Sequence, residues 1–318
     1  QSAMRVAVVG ATSAVGQQII GLLECANPDQ RIIPIDAAPG EHHSIHGNRL
    51  NIRAPDNFDF SQVDLVFLAT GPTTSRQLAH RARACGCTVI DSSSHFRLQP
   101  DVPLAIPNIN GSLLRAGMLI AAPYFATAVM LRGLAPVHAR YRVKQLAVTI
   151  WLSIPADELD HLGKLEGSEP QQHSGIAIAV INEARKILFP LSCADPPMTV
   201  EVAVIKGIRK ELANVTAFVT AEMQAAITPF HAREAFHDAA GVKAIGDCPR
   251  TTFQHSIPDT IGVGRFSGVN RFGDHGLAFW ICDNQPVRRA AFNAVEIAEH
   301  IFGGDRLVLG HPADSEPT

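Results

Sequence analysis

The sequence predicts an α/β protein with a Rossmann-like, doubly wound N-terminal domain followed by an α+β domain. The chain has 318 residues, 46% of them hydrophobic. This length usually divides into two domains, and the hydrophobic content is enough for a core in each. In the first third, short apolar runs alternate with helical patterns, as in a parallel sheet covered on both faces. Longer strand-like runs separated by few helices follow, and they favour a mixed or antiparallel sheet.

The first element is a strand over Arg5–Val9 that ends at Gly10, and apolar residues from Val15 to Leu23 then recur at helical spacing. The polar segment from Glu41 to Gly47 is expected to be a loop. Further buried elements follow in order: strands over 32–35, 65–69 and 88–90, with a helix over about 73–84.

A helix ending near residue 134 leads into the second set of elements. Its strands are predicted at 145–152, 198–205, 215–222 and 278–282, before a last helix at 288–302. These patterns place the domains at 4–126 and 127–285, the final helix at 286–302 and a tail at 303–318.

Composition argues against several classes of partner. The formal net charge is -3 and the sequence pI is about 6.6, so no broad basic field would attract nucleic acid or an anionic membrane. No apolar run approaches the roughly 20 residues that span a bilayer. The six cysteines are scattered rather than paired at diagnostic spacing, which is typical of reduced thiols. A cytoplasmic protein is expected.

The segment between the first strand and the first helix predicts a dinucleotide site. It runs Gly10, Ala11, Thr12, Ser13, Ala14, Val15 and Gly16, where backbone N–H groups and the helix N-terminus can bind a pyrophosphate. Ser13 replaces the middle glycine, and its Cβ could crowd the diphosphate.

Asp36 ends the second strand, where an acidic side chain accepts hydrogen bonds from the ribose hydroxyls of NAD. A carboxylate there would repel the 2′-phosphate of NADP, so NAD is favoured over NADP if a nucleotide binds. The alternative is a tight strand-to-helix turn without a ligand, in which Asp36 only caps a loop.

Four segments extend over residues 6 to 299: VAVVGATSAVG, ACGCTVIDSSSHFRLQPDVPLAIPNIN, INEARKIL and DNQPVRRAAFNAVEIAE. Together they resemble the aspartate-semialdehyde dehydrogenase family. The resemblance implies the fold of that family, a substrate and dimerisation role for the second domain, and a homodimer formed through its sheet. It also implies that the final helix packs back on the first domain.

The residues that the resemblance assigns to catalysis are replaced in this chain. Phe125 stands at the position of the nucleophilic cysteine, and Ile208 at that of the acid/base histidine. Leu152 replaces a glutamine, and Glu201 replaces the arginine that holds the substrate carboxylate. A phenyl ring cannot form a covalent acyl intermediate, and isoleucine cannot transfer a proton.

Other candidate sites are weaker. Arg97 stands at the position of the family's phosphate-binding arginine, with Asn108 nearby in sequence, so an anion could bind there. His42, His43 and His46 have no carboxylate or cysteine partner at metal-ligand spacing, and no metal site is expected.

The sequence therefore supports a catalytically degenerate homologue of Usg type, with a binding or regulatory role and with NAD as its ligand if a nucleotide binds. One alternative is an NAD(P)-dependent oxidoreductase that acts on an aldehyde or oxo group through a remodelled site. Another keeps the dehydrogenase activity, with a different cysteine as nucleophile.

Overall fold

The computed structural model describes residues 4–153, 173–189, 199–206, 214–245 and 260–303. The chain divides into two compact units. The first contains residues up to 123 and those from 287 onward, and the second contains the described residues between 124 and 286. Ile208, Cys193 and Cys248 lie outside the described residues.

The first unit is built on a parallel sheet. Its strands, in chain order, are β1 (Arg5–Val9), β2 (Arg31–Ile35), β3 (Gly40–His43), β4 (Arg49–Ile52), β5 (Leu65–Leu68), β6 (Thr88–Asp91) and β7 (Leu119–Ala121). Five of them form one sheet in the order β2-β1-β5-β6-β7, with every pair parallel. The strands β5 and β6 are buried along their whole length, as expected for a sheet covered on both faces. The doubly wound fold is confirmed.

The helices of this unit connect the strands. They are α1 (Ala14–Ala26), α2 (Pro72–Ala84) and the short α3 (Pro107–Asn110). The chain passes from β1 through α1 to β2 on one side, then returns to β5 on the other side of β1. The strand order therefore reverses between β1 and β5, which is where ligands bind in open α/β sheets.

The segment predicted as a loop at Glu41–Gly47 is partly a strand. Residues of β3 pair with β4 in an antiparallel hairpin, with His43 opposite Arg49. All four residues of β3 are exposed, so no apolar alternation marks this strand in the sequence. The expectation of a loop was wrong for residues 41–43.

The second unit contains a mixed six-stranded sheet. Its strands are β8 (Val143–Ser153), β9 (Val200–Lys206), β10 (Asn214–Met223), β11 (Val242–Ala244), β12 (Ile261–Gly268) and β13 (Gly276–Asp283). Their order is β11-β12-β13-β10-β8-β9, with parallel pairs at both ends and antiparallel pairs between them. The mixed sheet predicted for the second domain is confirmed.

Helices cover one face of this sheet. They are α4 (Phe125–Tyr141), α5 (His173–Leu188) and α6 (Pro229–Glu234). A Cβ at Gly133 of α4 would lie 2.6 Å from the side chain of Ile281, so α4 packs closely on the face that carries Ile281. On that face, β8 and β10 contribute only buried side chains, such as Ile150 opposite Ala217.

The other face of the sheet, which we call the open face, carries half-buried threonines and aromatic rings. Trp151 and Trp280 stack with their ring centroids 5.3 Å apart, and Phe218 lies 5.0 Å from Trp280. Ile205 on the neighbouring strand is 44% exposed. The aromatic cluster is therefore only partly covered.

The last helix, α7 (Pro286–Phe302), belongs to the first unit from Val287 onward. Asn293 is buried and donates a hydrogen bond to the backbone oxygen of Ala105 (3.1 Å), and Arg288 reaches Gln18 of α1 (3.3 Å). Within the described part of the chain, no helix is both long enough and apolar enough to traverse a lipid bilayer.

Candidate functional site

The turn after β1 depends on a glycine that no other residue could replace without strain. Gly10 has a φ of +78°, and a Cβ built there would lie 2.1 Å from the carbonyl oxygen of Ala69, at the end of β5. The Gly10 N–H donates to the carbonyl of Ile35 at the end of β2 (2.9 Å). The turn is thus packed against both neighbours of β1.

Ser13 caps the helix that follows. Its Oγ accepts a hydrogen bond from the N–H of Gly16 (3.0 Å) and donates one to the carbonyl of Ala69 (3.1 Å). The helix begins at Ala14, and Val15 is fully buried. A serine in place of the middle glycine of the motif thus supplies the side chain that caps the helix N-terminus.

Asp36 is bound to the same loop from β2. Its Oδ2 accepts hydrogen bonds from the Thr12 N–H (2.9 Å) and the Thr12 hydroxyl (2.6 Å), and its Oδ1 accepts one from the N–H of Ala37 (2.7 Å). Asp36 is half-buried and Thr12 is exposed. The carboxylate is therefore held in one orientation at the carboxyl edge of the sheet.

The structure brings the predicted nucleotide-binding residues together. The turn and the first turn of α1 hold these residues at the strand-order reversal, and Asp36 bonds to the turn through Thr12. The residues are Gly10, Thr12, Ser13, Ala14, Val15 and Gly16. The 13-residue helix α1 starts there and presents its N-terminal amides, a favourable environment for phosphate.

Arg97 makes structural contacts. The side chain is 4% exposed, its Nε donates to the carbonyl of Ala122 (3.0 Å) and its Nη2 to that of Ser92 (2.8 Å). These bonds join the segment after β6 to the end of β7. Asn108, in α3, has an exposed side chain. Anion binding by Arg97 and Asn108 stays a prediction.

Asp91 is a buried acid to which the sequence analysis gave no role. It ends β6 with no exposed surface, and Ser93 donates to its Oδ2 (2.7 Å). Burial raises the pKa of the Asp91 carboxyl above its usual range, against the opposing effects of Ser93, Ser75 and Arg97. The run of serines after an apolar strand was the only signal in the sequence.

In the second unit, Phe125 is the first residue of α4 and is 2% exposed. Its ring packs against that of Tyr124, with centroids 4.2 Å apart. The N–H of Tyr124, the N-cap residue, donates to Oε2 of the buried Glu183 on α5 (2.8 Å). Sequence reasoning missed Glu183, because only the folded structure brings α5 to the start of α4.

The other replaced positions do not form one cluster. Leu152 is buried on the face of the sheet that α4 covers, whereas Glu201 is exposed and pairs with Ala147 on the open face. Along α5, Ile176 is buried but Ile178 is 57% exposed. Ile208 lies outside the described residues. Among the described residues, no group of three or more metal-binding side chains is present.

Comparison with known proteins agrees with this geometry. Residues 5–116 match the family model described as semialdehyde dehydrogenase, NAD binding domain. Most of the first unit is thus similar to the NAD-binding domain of semialdehyde dehydrogenases.

Relatives extend the similarity to nearly the whole chain. An aspartate-semialdehyde dehydrogenase of Synechocystis is 29% identical over 94% of this chain and 97% of its own length. A USG-1 protein homolog of Azotobacter vinelandii is 27% identical over 93% and 97%. The solved structure of a probable aspartate-semialdehyde dehydrogenase from Pseudomonas aeruginosa has a TM-score of 0.77 and 25% identity, covering 95% of this chain and 99% of that one. The chain is thus similar over nearly its whole length to aspartate-semialdehyde dehydrogenases and to a USG-1 protein homolog.

The loop packing leads to a prediction about Gly16. An added Cβ would lie 2.0 Å from the backbone oxygen of Gly10, so Gly16→Ala should displace the turn and lower the free energy of unfolding by about 1–3 kcal/mol. Chemical unfolding followed by circular dichroism measures this. Gly268→Ala is the control, because nothing lies within 4 Å of the added methyl group. Equal stability of the two variants would contradict the packing argument.

Proposed function

We propose that this protein is a pseudoenzyme, a catalytically degenerate homologue of aspartate-semialdehyde dehydrogenase that keeps the fold and NAD binding and acts by binding or regulation. The observation that carries the proposal is Phe125, buried at the first position of α4. The resemblance assigns the nucleophilic cysteine to that position.

The start of a helix suits a thiolate, because the N-terminal amides stabilise negative charge and lower the pKa of a cysteine placed there. A phenyl ring makes no use of this environment and forms no bond to a carbonyl carbon. In this chain the backbone N–H of Tyr124 instead donates to the carboxylate of Glu183. The negative charge at the helix start therefore comes from a side chain that is already hydrogen-bonded.

The remaining replacements support the same conclusion. Leu152 offers no hydrogen bond to a substrate, and it is buried. Glu201 cannot serve as an arginine clamp for a substrate carboxylate, because its charge is the opposite one and it lies on the open face, away from Leu152. With Ile208 replacing the acid/base histidine, no residue at these four positions supports acyl transfer.

Retention of the nucleotide loop supports binding of a dinucleotide. Ser13 and Gly16 keep the helix N-terminus ordered, and Asp36 stands at the end of β2, beside the loop. A carboxylate at that point favours the ribose hydroxyls of NAD and repels the additional phosphate of NADP. We therefore propose NAD rather than NADP as the ligand.

The nucleotide loop also favours a second candidate, an NAD(P)-dependent oxidoreductase that acts on an aldehyde or oxo group without a covalent thiol. An intact nucleotide loop serves hydride transfer as well as regulation. The two candidates differ in whether the bound nucleotide is turned over.

A homodimer formed through the open face is part of the proposal. Aromatic residues are enriched at the centres of protein interfaces and charged residues are depleted there. The open face fits this description, since Trp151, Phe218 and Trp280 form its centre. The ion pair between Glu222 and Lys144 lies near its edge.

The proposed location is the cytoplasm, because a reducing compartment suits the exposed thiols of Cys25 and Cys85.

The nucleotide proposal predicts a preference that calorimetric titration can measure. The protein should bind NAD at least about tenfold more tightly than NADP, because close like charges are strongly unfavourable. Asp36→Asn should reduce this preference, and Asp29→Asn, at an exposed aspartate outside the loop, should not. NADP binding as tight as NAD binding would contradict the role of Asp36.

The pseudoenzyme proposal predicts no turnover of aspartate semialdehyde with NAD or NADP and phosphate, under conditions in which an active dehydrogenase is readily measured. Phe125→Cys alone should not restore activity, because Leu152 and Ile208 would remain. Turnover abolished by thiol alkylation would show that another cysteine acts as the nucleophile. Alkylation-resistant reduction of NAD by an aldehyde would support the oxidoreductase instead.

The dimer is tested with a charge on the open face. Thr149→Lys places an ammonium group beside Phe218, its partner across the strands, and should convert the dimer to a monomer in sedimentation velocity. Thr74→Lys, at an exposed position of α2, is the matched control. A wild-type protein that sediments as a monomer at all concentrations would contradict the interface.

A further inference from the structure

The hydrogen bonds of Asp36 leave few acceptor positions for a ligand. An ionised carboxylate offers about four lone-pair positions, two on each oxygen. Oδ2 uses both of its positions on Thr12, one for the N–H at 2.9 Å and one for the hydroxyl at 2.6 Å. Oδ1 accepts from the N–H of Ala37 at 2.7 Å, so the described residues leave one acceptor position on the carboxylate.

A ribose with two neighbouring hydroxyl groups requires two acceptor positions on the carboxylate. Bidentate binding of the diol needs one acceptor position on each carboxylate oxygen, so one of the three existing donors must leave. The two backbone donors are fixed, because the N–H groups of Gly10 and Ala11 both bond to the carbonyl of Ile35 (2.9 and 3.2 Å) and hold the loop to the end of β2. The Thr12 hydroxyl is on an exposed side chain and can rotate away.

We infer that the Thr12 hydroxyl occupies the acceptor position that a ribose hydroxyl of the dinucleotide takes, so that Thr12 limits the affinity for NAD. This inference rests on the NAD binding proposed above. The hydroxyl competes with the ligand for Oδ2, while the Thr12 N–H keeps the carboxylate oriented in either state. Thr12 is thus a determinant of affinity, and it sets the NAD concentration at which the site fills.

The competition depends on the number of hydroxyl groups in the ligand. A dinucleotide whose adenosine ribose lacks the 2′-hydroxyl needs only one acceptor position, and Oδ1 has one. Such a ligand binds without displacing Thr12. A contact that merely shaped the loop would affect both ligands equally, so the comparison separates competition from a structural role.

The test is calorimetric titration of the full chain with NAD and with 2′-deoxyadenosine-containing NAD. Thr12→Val removes the hydroxyl, keeps the side-chain shape and retains the N–H, whereas Thr12→Ser keeps the hydroxyl and is the matched control. Thr12→Val should lower the Kd for NAD about three- to tenfold, which corresponds to one competing hydrogen bond. The Kd for the deoxy ligand should not change, and Thr12→Ser should bind NAD like the wild type.

Three results would overturn the inference, and one of them also overturns the function proposed above. NAD binding by Thr12→Val that is no tighter than that of the wild type excludes competition. An equal gain for NAD and the deoxy ligand indicates a general loosening of the loop. If NAD saturates neither the wild type nor either variant at millimolar concentration, while all three melt cooperatively, the proposal of NAD binding fails as well.

Discussion

The arrangement of the first unit depends on the contact between two backbone segments at the strand-order reversal. Gly10 lies so close to the carbonyl of Ala69 that a single Cβ would not fit, and Gly16 lies equally close to Gly10. The Ser13 hydroxyl bonds to the carbonyl of Ala69 and to the N–H of Gly16. The position of Thr12, the direction of α1 and the orientation of Asp36 all follow from it. The nucleotide loop is therefore a packed part of the domain, and its sequence is constrained even without a ligand.

In the second unit, the position that the resemblance assigns to the nucleophile lies in the core. The helix α4 is buried along most of its length and packs on the sheet through Gly133. Burial of Phe125 beside Tyr124 makes the start of the helix part of the core. A phenylalanine at this position is thus compatible with stable packing, so the fold does not depend on the cysteine that the resemblance assigns there.

Much of the fold could be predicted because apolar runs mark buried strands whatever their partners are. Arg5–Val9 and Leu65–Leu68 were identified in this way, and the turn at Gly10 followed from its neighbours. The hairpin of β3 and β4 could not be found, since its first strand is fully exposed. The roles of Glu183 and Asp91 depend on contacts between distant segments or on burial by the whole unit. Likewise, only strand pairing shows that Leu152 and Glu201 lie on opposite faces.

The stacked indoles of Trp151 and Trp280 have a spectroscopic consequence. They are the only two tryptophans in the chain, both belong to the second unit, and their ring centroids are 5.3 Å apart. Intrinsic emission and near-ultraviolet circular dichroism from indole therefore originate at the open face alone. These signals report directly on whether that face is covered, and the nucleotide-binding unit contributes no tryptophan to them.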